Sequence, residues 1–166
     1  AIYMLKTLGL YEDVSYRFSM WDPDDRDKYI GTPEQWDEAQ GVMRKILDHL
    51  EIPYVDGIGE AAFYGPKLDI QIKNVFGKED TLITIQIDQM LAEKFGMEYV
   101  DADGKKKNPY IIHRTSIGCY ERTLALLIEK YAGALPMWLM PTQIKVLPIS
   151  ERHHEYAEKV AETLRE

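Results

Sequence analysis

Pro109-Tyr110-Ile111-Ile112-His113-Arg114-Thr115-Ser116-Ile117-Gly118-Cys119-Tyr120-Glu121-Arg122-Thr123-Leu124 sets an apolar strand, a tight glycine turn and a helix with Glu-Arg on its first turn in immediate succession. That order brings backbone N–H groups and the positive end of a helix dipole to one point, where a guanidinium one turn in can reach the same anion with a fork of donors. The stretch therefore predicts a phosphate-handling geometry. The plainer alternative for Arg122 is a surface ion pair with Glu129 or Glu121.

Downstream, a helix is expected from about Cys119 to Ala132, with Leu124, Leu127, Ile128 and Tyr131 turned inward and Gly133 closing it. Upstream, residues 51–115 follow period two. Leu68, Ile70 and Ile72 alternate with polar residues, and Ile83, Ile85 and Ile87 face one way while Thr84, Gln86 and Asp88 face the other. A polar stripe on a central strand demands a reason. Asp103-Gly104 predicts a tight hairpin between Tyr99-Val100 and Tyr110-Ile111-Ile112. Nearer the start, Ile2 to Leu8 read as a helix end closed by Gly9, and Val14, Tyr16, Phe18 and Met20 as a half-buried strand. Thr32, Pro33 and Gln35 are placed to cap a helix whose buried stripe is Trp36, Ala39, Val42, Met43, Ile46, Leu47 and Leu50. The fold class is α+β, an antiparallel sheet with packed helices. Beyond Pro136 and Pro141, Ile144, Val146 and Leu147 predict a strand, Ser150 a cap, and residues 151–166 a helix with Tyr156, Val160 and Leu164 on its face: the first β-α unit of a further α/β domain.

With 166 residues the chain can bury one core and part of a second unit. The balance of 45% hydrophobic and 29% charged residues is that of a soluble globular protein. No apolar run is long enough to span a bilayer and no basic-then-apolar leader is visible, which predicts an intracellular, cytoplasmic protein. The single cysteine, Cys119, excludes an internal disulfide. A net charge of −8 argues against a surface built wholly for nucleic acid. Lys105-Lys106-Lys107 at the predicted hairpin tip is the one dense basic run, and a solubilising turn explains it. No Ser-His-Asp constellation, Walker-type loop or CxxC pair is present.

The opening stretch resembles the third signature motif of class II aminoacyl-tRNA synthetases, and its wording is similar to that of the threonyl-tRNA synthetase family. Ala61-Ala62-Phe63-Tyr64-Gly65-Pro66-Lys67-Leu68-Asp69, Thr84-Ile85-Gln86-Ile87-Asp88, Lys28-Tyr29-Ile30-Gly31 with Trp36-Asp37, and Tyr131-Ala132-Gly133-Ala134-Leu135-Pro136 with Trp138-Leu139 are also similar to that family, in the same order. The resemblance spans nearly the whole chain. It implies ATP-dependent activation of threonine, with Mg²⁺, and transfer to tRNA by a homodimeric parent enzyme. It assigns residues 1–138 to the C-terminal part of the catalytic domain and 139–166 to the start of an anticodon-binding domain.

The resemblance also implies roles. Arg122 contacts ATP as the catalytic phosphate clamp, where negative charge develops on the triphosphate. Gly118 lets backbone approach the nucleotide. Thr84 and Gln86 border the amino-acid and adenylate pocket, Gln86 on the ATP side as well, and Tyr64 and Lys67 belong to a substrate-side loop, although a turn with a merely packed tyrosine would look the same. His113 on its strand would ordinarily be a satisfied histidine beside the core, but in the family it is one of three protein ligands of a zinc ion, Zn²⁺, that reads threonine through its amino and hydroxyl groups. Neither Cys119 nor His49, His153 or His154 matches the other two ligands. The first and second class II motifs have no counterpart here, so the chain reads as an incomplete catalytic core, inactive alone. A non-catalytic synthetase-like module binding RNA or a partner chain is the alternative. Three residues depart from the common pattern: Ile83 for glycine, which would narrow the pocket, Gln89 for a buried phenylalanine, and Cys119 for serine.

Overall fold

The computed structural model describes residues 1–165. In chain order the elements are α1 (Ile2–Thr7), β1 (Val14–Met20), α2 (Pro33–His49), β2 (Tyr54–Ile58), β3 (Lys67–Lys73), β4 (Glu79–Asp88), α3 (Leu91–Lys94), β5 (Tyr99–Val100), β6 (Lys106–Lys107), β7 (Ile111–Arg114), α4 (Tyr120–Tyr131) and α5 (His154–Thr163). Five strands form one sheet in the order β2-β1-β3-β4-β7. It is mixed rather than purely antiparallel, because the edge pair β1 and β2 runs parallel while the other pairs are antiparallel. The α+β class stands.

Period-two alternation divides this sheet into two chemically distinct faces. On one, Tyr16, Phe18, Leu68, Ile70, Ile72, Ile83 and Ile87 meet Leu5, Leu8 and Leu10, then Ala39, Met43 and Leu47 of α2, and Leu126 and Leu127 of α4, in a single apolar core. A smaller aromatic cluster joins Trp21, Tyr29, Trp36 and Ala61. The Trp36 indole Nε1 donates to the Ile30 carbonyl at 2.7 Å, which satisfies the one polar atom of a buried ring. The predicted capping box opens α2: Thr32 Oγ1 accepts from the Gln35 amide, and Gln35 Oε1 accepts from the Thr32 amide.

Several expectations need correction. On α2 the buried stripe is Trp36, Ala39, Met43 and Leu47, whereas Val42, Ile46 and Leu50 are 48%, 52% and 59% exposed. Those three lie about a quarter-turn round the helix, beyond the width that one sheet face covers. The same offset operates on α4, where Thr123, Leu126 and Leu127 are buried and Tyr131 half-buried, while Leu124 and Ile128 face outward. Helix α4 does end as expected, with Ala132 in the left-handed region and Gly133 after it. The Asp103-Gly104 turn forms, but β5 pairs with β6, and Ile111–Arg114 pairs with β4 instead. Pro109 has no N–H to continue a ladder, so the strand breaks there and the chain is redirected to the main sheet. Two lysines of the basic run are ion-paired, Lys106 with Glu98 at 2.8 Å and Lys107 with Asp101.

Residues 144–147 form no strand, since no strand among the described residues lies beside them to accept their backbone groups. They run along α5 instead, with Ile144, Val146, Ala161 and Leu164 lining the groove between them. Helix α5 follows a single turn at Glu151–His153 and buries no residue fully; the Ser150 hydroxyl meets His153 Nδ1 at 3.3 Å rather than a backbone amide. Glu166, at the end of the expected helix, lies outside the described residues. No helix among those described is long and apolar enough to cross a membrane.

Candidate functional site

The second face of the sheet is polar, and its register aligns the predicted residues. Ser19, Lys67, Gln86 and His113 stand directly opposite one another across β1, β3, β4 and β7. Two residues along, Arg17, Asp69 and Thr84 form a second row. Alternation puts all of these on the face away from the core, which accounts for the polar stripe on β4. Much of this face is nonetheless removed from water: Asp69 is 2% exposed, Gln86 7%, and Ser19 and Asp88 0%.

Buried polar groups need partners, and here they find one another. Asp69 Oδ2 accepts from Ser19 Oγ at 2.8 Å and from Lys67 Nζ at 2.6 Å, while Oδ1 accepts from Thr84 Oγ1 at 2.8 Å. Tyr64, on the loop entering β3, donates its hydroxyl to Gln86 Oε1 at 3.2 Å. Asp88 Oδ2 lies 2.8 Å from His113 Nε2, and its Oδ1 accepts from the amides of Met90 and Leu91. Burial pushes the Asp88 carboxyl upward, but the bond from His113 and the two amides outweighs it and holds the group below the usual aspartate range.

Tyr64, Lys67, Thr84, Gln86 and His113 are thus gathered on one face. Gly118 and Arg122 stand elsewhere along β4. The Arg122 guanidinium donates to the Thr81 carbonyl at 2.6 Å and pairs with neither Glu121, which accepts from Cys119 Sγ, nor Glu129. At a rise of about 3.3 Å per residue that contact is roughly 10 Å from Thr84 along the strand. Gly118 has φ +76°, and a Cβ there would collide with the Leu82 carbonyl oxygen. Its bare backbone lets the loop press on β4. Gly65 does the same at the other end, where a Cβ would collide with the Ile87 carbonyl oxygen.

No group of three histidine, cysteine, aspartate or glutamate side chains able to hold a metal occurs among the described residues. His113 alone fits as a single ligand. With Nε2 held by Asp88, its Nδ1 remains for a metal, and a carboxylate behind the ring is the usual support of a ligating histidine. Ile83 does not narrow this face, being 1% exposed on the opposite, core side. At Gln89 both side-chain amide atoms are buried without a hydrogen-bond partner among the described residues. Sequence reasoning passed over Ser19 and Asp69. The signal was present as polar residues at alternate positions on three strands, but only the register shows that they converge.

Residues 5–131 match the family described as the tRNA synthetase class II core domain (G, H, P, S and T). The chain is 65% identical over 163 residues to the threonine–tRNA ligase of Clostridium botulinum strain Eklund 17B, covering 98% of this chain and 25% of that protein. It is 45% identical over 164 residues to the threonine–tRNA ligase of Halalkalibacterium halodurans, with 95% and 25% covered. The chain therefore spans about a quarter of the length of the curated relatives it matches. Among solved structures it resembles the RNA binding domain of threonyl-tRNA synthetase from Cryptosporidium parvum Iowa II, with a TM-score of 0.84 and 34% identity, over 98% of this chain and 40% of that one.

Proposed function

Because the chain belongs to the class II tRNA synthetase core family, as a threonyl-tRNA synthetase segment, we propose that it forms the C-terminal part of the catalytic core of a threonine–tRNA ligase. In this reading residues 1–138 belong to the catalytic domain and 139–166 open the anticodon-binding domain. The parent enzyme activates threonine with ATP and Mg²⁺ and transfers it to tRNA, as a cytoplasmic homodimer. The observation that carries the reading is the polar sheet face, where Tyr64, Lys67, Thr84, Gln86 and His113 converge from three strands and one loop.

Tyr64, Lys67, Thr84 and Gln86 line the threonine pocket. Gln86 also faces ATP, and Gly118 and Arg122 serve the triphosphate. Arg122 leaves its main-chain contact to meet charge that develops on the phosphates, a step in which fixed donors act most strongly. His113 supplies one of the three protein ligands of zinc, and Asp88 keeps its ring turned. Bound zinc supplies a Lewis acid for the amino and hydroxyl groups of threonine, the second of which valine lacks.

ATP–pyrophosphate exchange tests the reading. The parent protein is expected to exchange in the presence of threonine and the isolated 166-residue chain is not, since the second-motif arginine and two zinc ligands have no counterpart in it. Robust exchange by the isolated chain defeats the incomplete-core reading. A parent protein without threonine-dependent exchange defeats the ligase reading.

A further inference from the structure

Two of the proposed substrate-side residues, Lys67 and Thr84, are bonded to a carboxylate that the ligase reading leaves without a task. Asp69 stands directly opposite Thr84 in the register, two residues along β3 from Lys67, and is 2% exposed. Its three donors, Ser19 Oγ, Lys67 Nζ and Thr84 Oγ1, lie at 2.8, 2.6 and 2.8 Å. An ionised carboxylate only accepts, so none of these bonds can run the other way.

A threonine hydroxyl has one proton and two lone pairs. With the proton directed at Asp69 Oδ1, Thr84 can offer a ligand nothing but lone pairs. Tyr64 repeats the arrangement, its proton directed at Gln86 Oε1. The pocket wall therefore presents acceptor oxygens from Thr84 and Tyr64, the polarity that an ammonium or hydroxyl donor requires. Resting on the ligase reading, we propose that Asp69 is a positioning residue that fixes this polarity: it makes Thr84 an acceptor toward the threonine substrate and holds Lys67 Nζ at the pocket wall. Ser19 supplies the remaining donor, so the carboxylate is satisfied without reaching the ligand. Asparagine of the same shape could donate through its amide and allow Thr84 to turn.

The test compares Asp69→Asn, Thr84→Val and the double variant in the parent enzyme, with KM for threonine, KM for ATP, kcat and thermal midpoint measured for each. Each single variant is expected to raise KM for threonine at least ten-fold and to leave KM for ATP within two-fold, because the Thr84 acceptor is directed at the amino acid and the triphosphate is served by Gly118 and Arg122 in this reading. The double variant is expected to fall short of the sum of the two single effects, since both changes remove the same Thr84 acceptor, and any excess over Thr84→Val alone reports the hold on Lys67. A threonine KM within two-fold of wild type in Asp69→Asn, equal rises in both KM values, or additive effects would overturn the proposal. A purely structural role for Asp69 predicts a lower midpoint with no KM split. If Asp69→Asn does not fold, the Thr84 hydroxyl proton of the wild-type protein decides by NMR: a slowly exchanging proton directed at Asp69 supports the proposal, and one directed away overturns it. Wild-type parent enzyme without threonine-dependent exchange overturns the substrate assignment through the ligase reading, while the hydroxyl proton reports on the polarity by itself.

Discussion

Replacing Gln89 by methionine is expected to stabilise the chain. Gln89 begins the turn after β4, and its backbone amide donates to the Tyr64 carbonyl at 2.9 Å, a bond that the substitution leaves in place. Its side-chain Nε2 and Oε1 are both buried with no hydrogen-bond partner among the described residues. A buried polar group without a hydrogen bond costs about 1–3 kcal/mol, whereas methionine has nearly the same length and no strong donor or acceptor to satisfy. The gain is therefore on the order of 1–3 kcal/mol, and for a domain of this size each kcal/mol moves the thermal midpoint by about 2–4 °C. Thermal unfolding followed by circular dichroism should show Gln89→Met melting roughly 2–12 °C above wild type. Gln89→Glu, which places a charge in the same unpartnered position, should melt below it. A methionine variant at or below the wild-type midpoint, together with a harmless glutamate variant, would refute the reasoning and show that the amide is solvated.

In the parent enzyme Arg122→Ala should reduce threonine-dependent exchange by about 2–4 kcal/mol in the transition state while leaving the midpoint nearly unchanged. Leu127→Ala, at 3% exposure in the core, should instead lower stability by about 2–5 kcal/mol by opening a cavity. An Arg122→Ala protein that unfolds while its folded fraction stays fully active would show that the Thr81 contact is the residue's purpose. Asp88 titrates below the usual aspartate value in the folded state, so its contribution to stability is complete above about pH 3.9 and is lost as pH falls through the folded value. Denaturant unfolding at a series of acidic pH values should accordingly show a shallower acid loss for Asp88→Asn than for wild type; parallel curves would contradict the assignment. Gly118→Ala should cost more than Gly77→Ala, since both glycines have positive φ but only Gly118 faces an obstructing carbonyl. Equal midpoints for the two would mean that the loop yields freely.

What was legible in the sequence follows the range of the physics involved. The capping box at Thr32, the end of α4 at Gly133 and the alternation of β3 and β4 depend on neighbouring residues, and each forms. The width of a buried helix stripe depends on what lies across from it, which is why Val42, Ile46, Leu124 and Ile128 were expected inside and lie outside. The partner of Ile111–Arg114 is likewise a tertiary choice, made by β4 after Pro109 has broken the hairpin. For the candidate site, Thr84, Gln86 and Asp88 were readable as a stripe because they share one strand. Asp69 was not, since a polar residue at an alternate strand position ordinarily faces water, and only its contacts with Ser19 and Thr84 reveal it as buried.

The bare backbones of Gly65 and Gly118, each pressed against a carbonyl oxygen of β4, limit how this chain can diverge. Residues such as Ile83 or Cys119 can change by a local adjustment of volume or of a surface contact. Neither glycine can accept even one methyl group without a shift of its own loop or of β4, the strand that carries Thr84 and Gln86. The constraint at these two positions comes from backbone contact and is separate from any role of the side chains beside them. Two points of contact with one strand thus tie the loop before β3 and the loop before α4 to the same backbone.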